Sequence, residues 1–93
     1  MIRSFKDSTT ELVFNGRCPK GFPADIFQIA RRKLGMLDAA VSLNSLRVPP
    51  ANRLELLRGN RKGQHSIRIN DQWRICFRWT SFGPEEVEIV DYH

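Results

Sequence analysis

Arg74, Tyr92, Glu55, Arg58 and His93 are the residues of this chain whose types, taken together, could act on a phosphodiester. Cutting RNA without a metal makes few demands. The RNA's own 2′-hydroxyl attacks the adjacent phosphate, so one proton must be removed, another donated, and the charge on the phosphoryl oxygens stabilised. An arginine on a strand can clamp a phosphate through parallel N–H donors. A tyrosine can stack on a base or orient the phosphate, and a histidine titrates near neutrality. Each also has a plainer use. A strand arginine commonly pairs with a neighbouring carboxylate such as Glu88, and a tyrosine near a chain end commonly packs.

The element that would hold Arg74 is read from alternation. Trp73, Ile75, Phe77 and Trp79 are large and apolar, with Arg74, Cys76 and Arg78 between them. That period of two marks a strand with one buried and one wet face. Ile67 and Ile69 repeat it just upstream, and Asn70-Asp71-Gln72 has turn chemistry, so the two runs form an antiparallel hairpin. Residues 86–92 read as a last strand with Val87, Ile89 and Asp91 on one side and Glu88, Val90 and Tyr92 on the other. If the apolar sides face the core, Tyr92 emerges beside Arg74. Residues 53–57 read as a further strand, followed by a basic loop with two glycines over 58–63, which brings Glu55 or Arg58 toward the same end.

The N-terminal half reads as helical. Asp7 or Ser8 can cap a short helix over Ser8–Phe14, with Glu11 completing a capping-box pattern and Asn15-Gly16 stopping it. After a loop broken by Pro19 and Gly21, Pro23 suits the first turn of a second helix. Ile26, Ile29, Ala30, Lys33, Leu34 and Leu37 then recur at helical spacing, four residues before Val41. The basic triplet Arg31, Arg32 and Lys33 is expected to be solvated. Ser42 can cap one further turn at Leu43, and Pro49-Pro50 makes an extended connection. Residues 2–5 could join the sheet as an edge strand. The expected fold is α+β: two N-terminal helices packed on one face of a mainly antiparallel twisted sheet, in one domain over 1–93.

Composition narrows the function classes. The 93 residues are 41% hydrophobic and 27% charged, enough for a modest core. No apolar run approaches a membrane span and the N-terminal residues lack a signal peptide's apolar stretch, so a cytoplasmic protein without a membrane partner is expected. Cys18 and Cys76 show no metal-binding or redox spacing and read as reduced thiols; neither a metal nor a cofactor is expected. The net charge is +5. Its excess gathers in Arg53, Arg58, Arg61, Lys62, Arg68 and Arg74, opposed by Glu55 and Asp71. Such a cluster suits RNA backbone, through counterion release, or an acidic protein partner.

The run from Gly63 to Trp79, closed by Val-Glu-Ile-Val-Asp-Tyr-His at 87–93, resembles the HigB or plasmid-maintenance killer toxins of the RelE/ParE superfamily. The Met-Ile-Arg-Ser-Phe opening and Pro49-Pro50-Ala51-Asn52-Arg53-Leu54 are also similar, so the likeness covers essentially the whole chain. It implies a compact RelE-like fold and a type II toxin, a ribosome-dependent mRNA endonuclease that inhibits translation and growth. It also implies neutralisation by a HigA-like helix-turn-helix antitoxin, with operator DNA engaged only through that antitoxin. Arg74 matches the family arginine that holds the scissile phosphate, and Asp91, Tyr92 and His93 match the C-terminal motif. The chain departs from the family pattern where active members can place a histidine and a lysine: here stand Glu55 and Arg58. Arginine keeps its proton to a pKa above ~12, so Arg58 can stabilise charge but cannot act as base. Glu55 or His93 is left as the candidate base. The alternative is a toxin that binds ribosomes or their precursors with little or no cutting. The second helix and the loop 58–62 are both expected as antitoxin-docking sites.

Overall fold

Apolar side chains from both halves of the chain meet between two helices and one face of a four-stranded antiparallel sheet. The elements are α1 (Ser8–Phe14), α2 (Ala24–Ala39), β1 (Glu55–Leu56), β2 (His65–Arg68), β3 (Trp73–Thr80) and β4 (Gly83–Asp91), and the strands lie in the order β1-β2-β3-β4. The computed structural model describes residues 1–92; His93, one of the candidate site residues, lies outside them. Among the described residues no helix is long and apolar enough to cross a membrane. The expected α+β architecture, two helices followed by a strand meander, is the one observed.

Local chemistry accounts for the element ends. Asp7 rather than Ser8 caps α1, its Oδ1 accepting the Thr10 N–H at 2.8 Å. Asn15 closes the helix, with Gly16 following in the left-handed region at φ 86°. Between β2 and β3, Asn70 Oδ1 accepts from the backbone of both Gln72 (2.9 Å) and Trp73 (2.8 Å), the side-chain turn that the Asn-Asp-Gln run suggested. Ser42 caps a short 3-10 turn over Leu43–Arg47, accepting from the Ser45 N–H. The N-terminal residues do join the sheet: Phe5 bridges Val87 in parallel, and Ser4 Oγ accepts from Glu86 N at 2.9 Å.

The inner face of β3 carries the core. Ile75 and Phe77 are fully buried with Ile67, Val87 and, from the helices, Val13, Ile26, Ala30, Leu34 and Leu37. Each large side chain so placed contributes roughly 1.5–3 kcal/mol relative to exposure. Thr10 ties α1 to the sheet by accepting from Ile89 N at 3.0 Å.

Five expectations change. Lys33 is buried at 7% exposure, not solvated, because it occupies a position of the α2 stripe that faces the core. That stripe stops at Leu37; the helix ends at Ala39 and Val41 is 93% exposed. The Pro49-Pro50 connection is not extended throughout, since Pro50–Asn52 forms a 3-10 turn. The expected strand over 53–57 shrinks to Glu55–Leu56, because Arg53 turns left-handed at φ 44°, ψ 56°. The strict alternation of the last strand also breaks: register shifts between Cys76 and Arg78, where Glu86 takes φ 53°.

Candidate functional site: the arginine on the outer sheet face

The face of the sheet turned away from the helices is built around Arg74. In register, Arg74 lies opposite Val90 on β4 and Arg68 on β2. Two arginines directly across a ladder repel, so the surrounding groups must compensate. Arg68 forms an ion pair with Asp71 of the adjoining turn. Arg74 is held differently, by acceptors that leave its own charge in place. Its Nε donates to Ser66 Oγ at 2.7 Å, and its Nη2 to the Arg53 carbonyl at 2.7 Å and, more weakly, to the Ser66 carbonyl at 3.5 Å. Glu55 Oε2 stands 3.9 Å from Nη2. Among the described residues neither Nη1 hydrogen has an acceptor. The guanidinium is thus fixed on one edge and open on the other, at 9% exposure.

Tyr92 covers this group from the end of β4. The Arg74 Cζ lies 5.8 Å from the centre of the Tyr92 ring, a cation–π arrangement. The hairpin turn sets the position of the tyrosine: Tyr92 N donates to the Gln72 carbonyl at 2.7 Å, and Gln72 Nε2 donates to Asp91 Oδ2 at 3.1 Å. The turn that joins β2 to β3 therefore also anchors the chain end beside the arginine.

Arg74, Tyr92 and Glu55 are brought together as expected, with Arg53 contributing its carbonyl, while Asp91 lies opposite Trp73 and bonds Gln72 of the turn. The basic residues divide. Arg61 pairs with Glu88 at 3.0 Å and also donates to Gln64 Oε1, so it is committed to the sheet, and Glu88 is the partner of Arg61 rather than of Arg74. Arg68 is committed to Asp71. Arg58 and Lys62 line a separate, apolar-walled cleft of about 450 Å³ with Leu56, Leu57, Gly59 and Gly63.

Sequence reading missed Ser66, whose hydroxyl and carbonyl both receive Arg74. A diagonal cross-strand pairing would have found it, since Ser66 is opposite Cys76 and hence two residues along from Arg74's own partner. The Cys76 thiol, fully buried on this face, is pushed up from its usual range by burial, which keeps it protonated and unreactive. His65 was also passed over. It lies on the inner face, stacked on Phe77 with ring centres 6.3 Å apart, and is not part of the arginine site. Among the described residues no group of three or more His, Cys, Asp or Glu could hold a metal ion.

A four-stranded antiparallel sheet with two helices on one face and an arginine–tyrosine pair on the other defines a small RelE-like domain, and comparison with known proteins agrees. The family model of the RelE-like toxin of type II toxin-antitoxin system HigB matches residues 3–93. Toxin HigB-1 of Vibrio cholerae serotype O1 is 42% identical over 80 residues, 85% of this chain and 84% of its own. Endoribonuclease HigB of Proteus vulgaris is 30% identical over 93 residues, the full length of both chains. The chain belongs to the HigB family of RelE-like toxins of type II toxin–antitoxin systems.

Proposed function

We propose that this toxin is a metal-independent endoribonuclease that cuts messenger RNA on the ribosome, in the cytoplasm, and so arrests growth. The observation that carries the reading is the half-anchored guanidinium of Arg74: two of its nitrogens are tied to Ser66 and Arg53, while Nη1 is open to receive a phosphoryl oxygen. A relative of the same length, Endoribonuclease HigB of Proteus vulgaris, supports it by name. Arg74 steadies the negative charge that grows on the phosphate as the 2′-oxygen attacks. Glu55, half-exposed beside Arg74, takes the 2′-hydroxyl proton. The departing 5′-oxygen needs a proton, which falls to His93. Tyr92 offers its ring to a flanking base, and Asp91 holds the turn that carries Tyr92. Arg58, Lys62 and Arg53 contact the RNA backbone without proton transfer; Arg61 and Arg68, engaged with Glu88 and Asp71, add field rather than direct contacts.

The same family membership calls for an antitoxin. We take it to be a HigA-like helix-turn-helix protein encoded beside the toxin, through which operator DNA is reached indirectly. Of the two docking surfaces expected from sequence, α2 offers Arg31 and Arg32 but not the buried Lys33.

Mapping RNA ends after induction tests the enzyme reading. New cleavage sites in messages, absent with Arg74→Ala, are expected. A second reading, ribosome binding without cutting, is favoured by one observation: Arg58 stands where a titrating lysine would serve, and arginine does not titrate near neutrality. Growth arrest with intact messages would establish that reading and overturn the first.

A further inference from the structure

Lys33 is an amine placed where a leucine would fit. It sits in the buried stripe of α2, and burial, with Arg32 nearby, lowers its pKa. Long charged side chains usually carry their head groups out to water, but this one turns inward and donates to Asn52 Oδ1. Asn52 is itself fully buried and spends its amide on the chain around it: Nδ2 donates to the Leu46 carbonyl at 3.1 Å and lies 3.5 Å from that of Val48 and 3.3 Å from Met36 Sδ. Its backbone N–H reaches the Pro49 carbonyl at 2.9 Å, and the Arg53 N–H that of Pro50 at 3.0 Å. The segment is therefore fixed up to Arg53, whose left-handed backbone turns its carbonyl onto Arg74 Nη2. A non-glycine residue keeps that conformation only where its neighbours hold it there.

We propose that Lys33 and Asn52 are positioning residues of the arginine site, acting from the helical layer, round the short β1 edge, through the Arg53 carbonyl. The inference rests on the reading of Arg74 as the phosphate-holding group. Neither Lys33 nor Asn52 hydrogen-bonds to Arg74, so their effect is to set where its open edge points. Small displacements of such a group are costly, on the order of 10²-fold for about 1 Å.

Lys33→Met and Lys33→Leu fill the stripe with apolar side chains and remove the donor. Both relieve the burial of the amine but leave the buried Asn52 Oδ1 without its donor, so they should stay folded and unfold cooperatively in urea at a midpoint equal to or somewhat below that of the unsubstituted toxin. They should cleave mRNA on programmed ribosomes with kcat reduced about tenfold to 10²-fold and KM within about twofold. Lys33→Gln, which restores an uncharged donor toward Asn52, should recover part of the loss. The Arg74 Nε–H resonance in ¹⁵N-labelled toxin should be protected from exchange in the unsubstituted protein, where it donates to Ser66, and should lose protection in Lys33→Met. Either apolar variant, folded and showing unchanged kcat and an unchanged Arg74 resonance, overturns the proposal. If the unsubstituted toxin does not cleave, the nuclease reading fails by itself, while the Arg74 resonance still decides whether Lys33 positions the guanidinium.

Discussion

Replacing Arg74 by lysine keeps a positive charge on the outer sheet face and removes the fork. In the native site Nε and Nη2 serve Ser66 and Arg53, and Nη1 is the edge proposed to receive the phosphate. A lysine ammonium is a single point and cannot occupy both places. Held by Ser66 or the Arg53 carbonyl, it stands back from the phosphate; turned to the phosphate, it leaves those buried acceptors unpaired. The transition state then loses one aligned donor, about 2.7–4 kcal/mol, or roughly 10²–10³ in kcat. Arg74→Lys should fall at the lower end of that range and Arg74→Ala at the upper. Stability should also drop, by about 1–3 kcal/mol, since two acceptors lose a charged donor. For a domain of this size each kcal/mol shifts Tm by roughly 4–8 °C, so rates must be measured well below the variant's own transition. Single-turnover cleavage on mRNA-programmed ribosomes, with urea melts alongside, gives both quantities. A folded Arg74→Lys protein that cleaves within about threefold of the native rate would refute the divided-guanidinium account.

Three further outcomes are expected. Glu55→Gln keeps an oxygen near Arg74 but cannot accept a proton, so single-turnover cleavage should fall about 10²-fold or more; an unaffected rate would move the base to another residue. Burial, with Arg47 nearby, lowers the His65 pKa below 6.5, and its buried Nδ1 has no hydrogen-bond partner among the described residues. The unfolded chain therefore takes up the proton first. The contribution of His65 is full above pH 6.5 and is lost as pH falls through the lowered folded-state value, so urea midpoints at pH 7.5 and 5.5 should converge in His65→Phe relative to the native protein. Gly83 sits at φ 124° against the Met1 carbonyl oxygen, which an added Cβ would overlap, so Gly83→Ala should cost about 2–3 kcal/mol by denaturant titration.

The parts of the fold that were legible in the sequence are those set by local pattern. Alternation from Trp73 to Trp79 placed the core face and the arginine face of β3, and the Asn70 turn fixed its pairing. The Arg74–Tyr92 encounter followed from parity alone. What escaped reading depends on partners far along the chain. The Arg61–Glu88 pair spans 27 residues and the Lys33–Asn52 bond 19. Helical spacing counted Lys33 in the stripe, yet the charge rule assigned it to water; only the presence of Asn52 settles which preference wins. Arg53 shows the opposite failure. Its neighbours favour a strand, but the preceding 3-10 turn forces a left-handed exit that shortens β1 and supplies the carbonyl for Arg74. The residue that fixes the site was thus read as a candidate RNA contact.

The Ser4–Glu86 bond and the Phe5–Val87 bridge join residues 82 positions apart. During synthesis Ser4 and Phe5 are made long before their partners on β4, and the ring that covers Arg74 comes later still, at residue 92. Helices and the β2–β3 hairpin can form on the way, but contacts of such long sequence separation close late. The arginine face is therefore assembled only after β4 and Tyr92 have both been made.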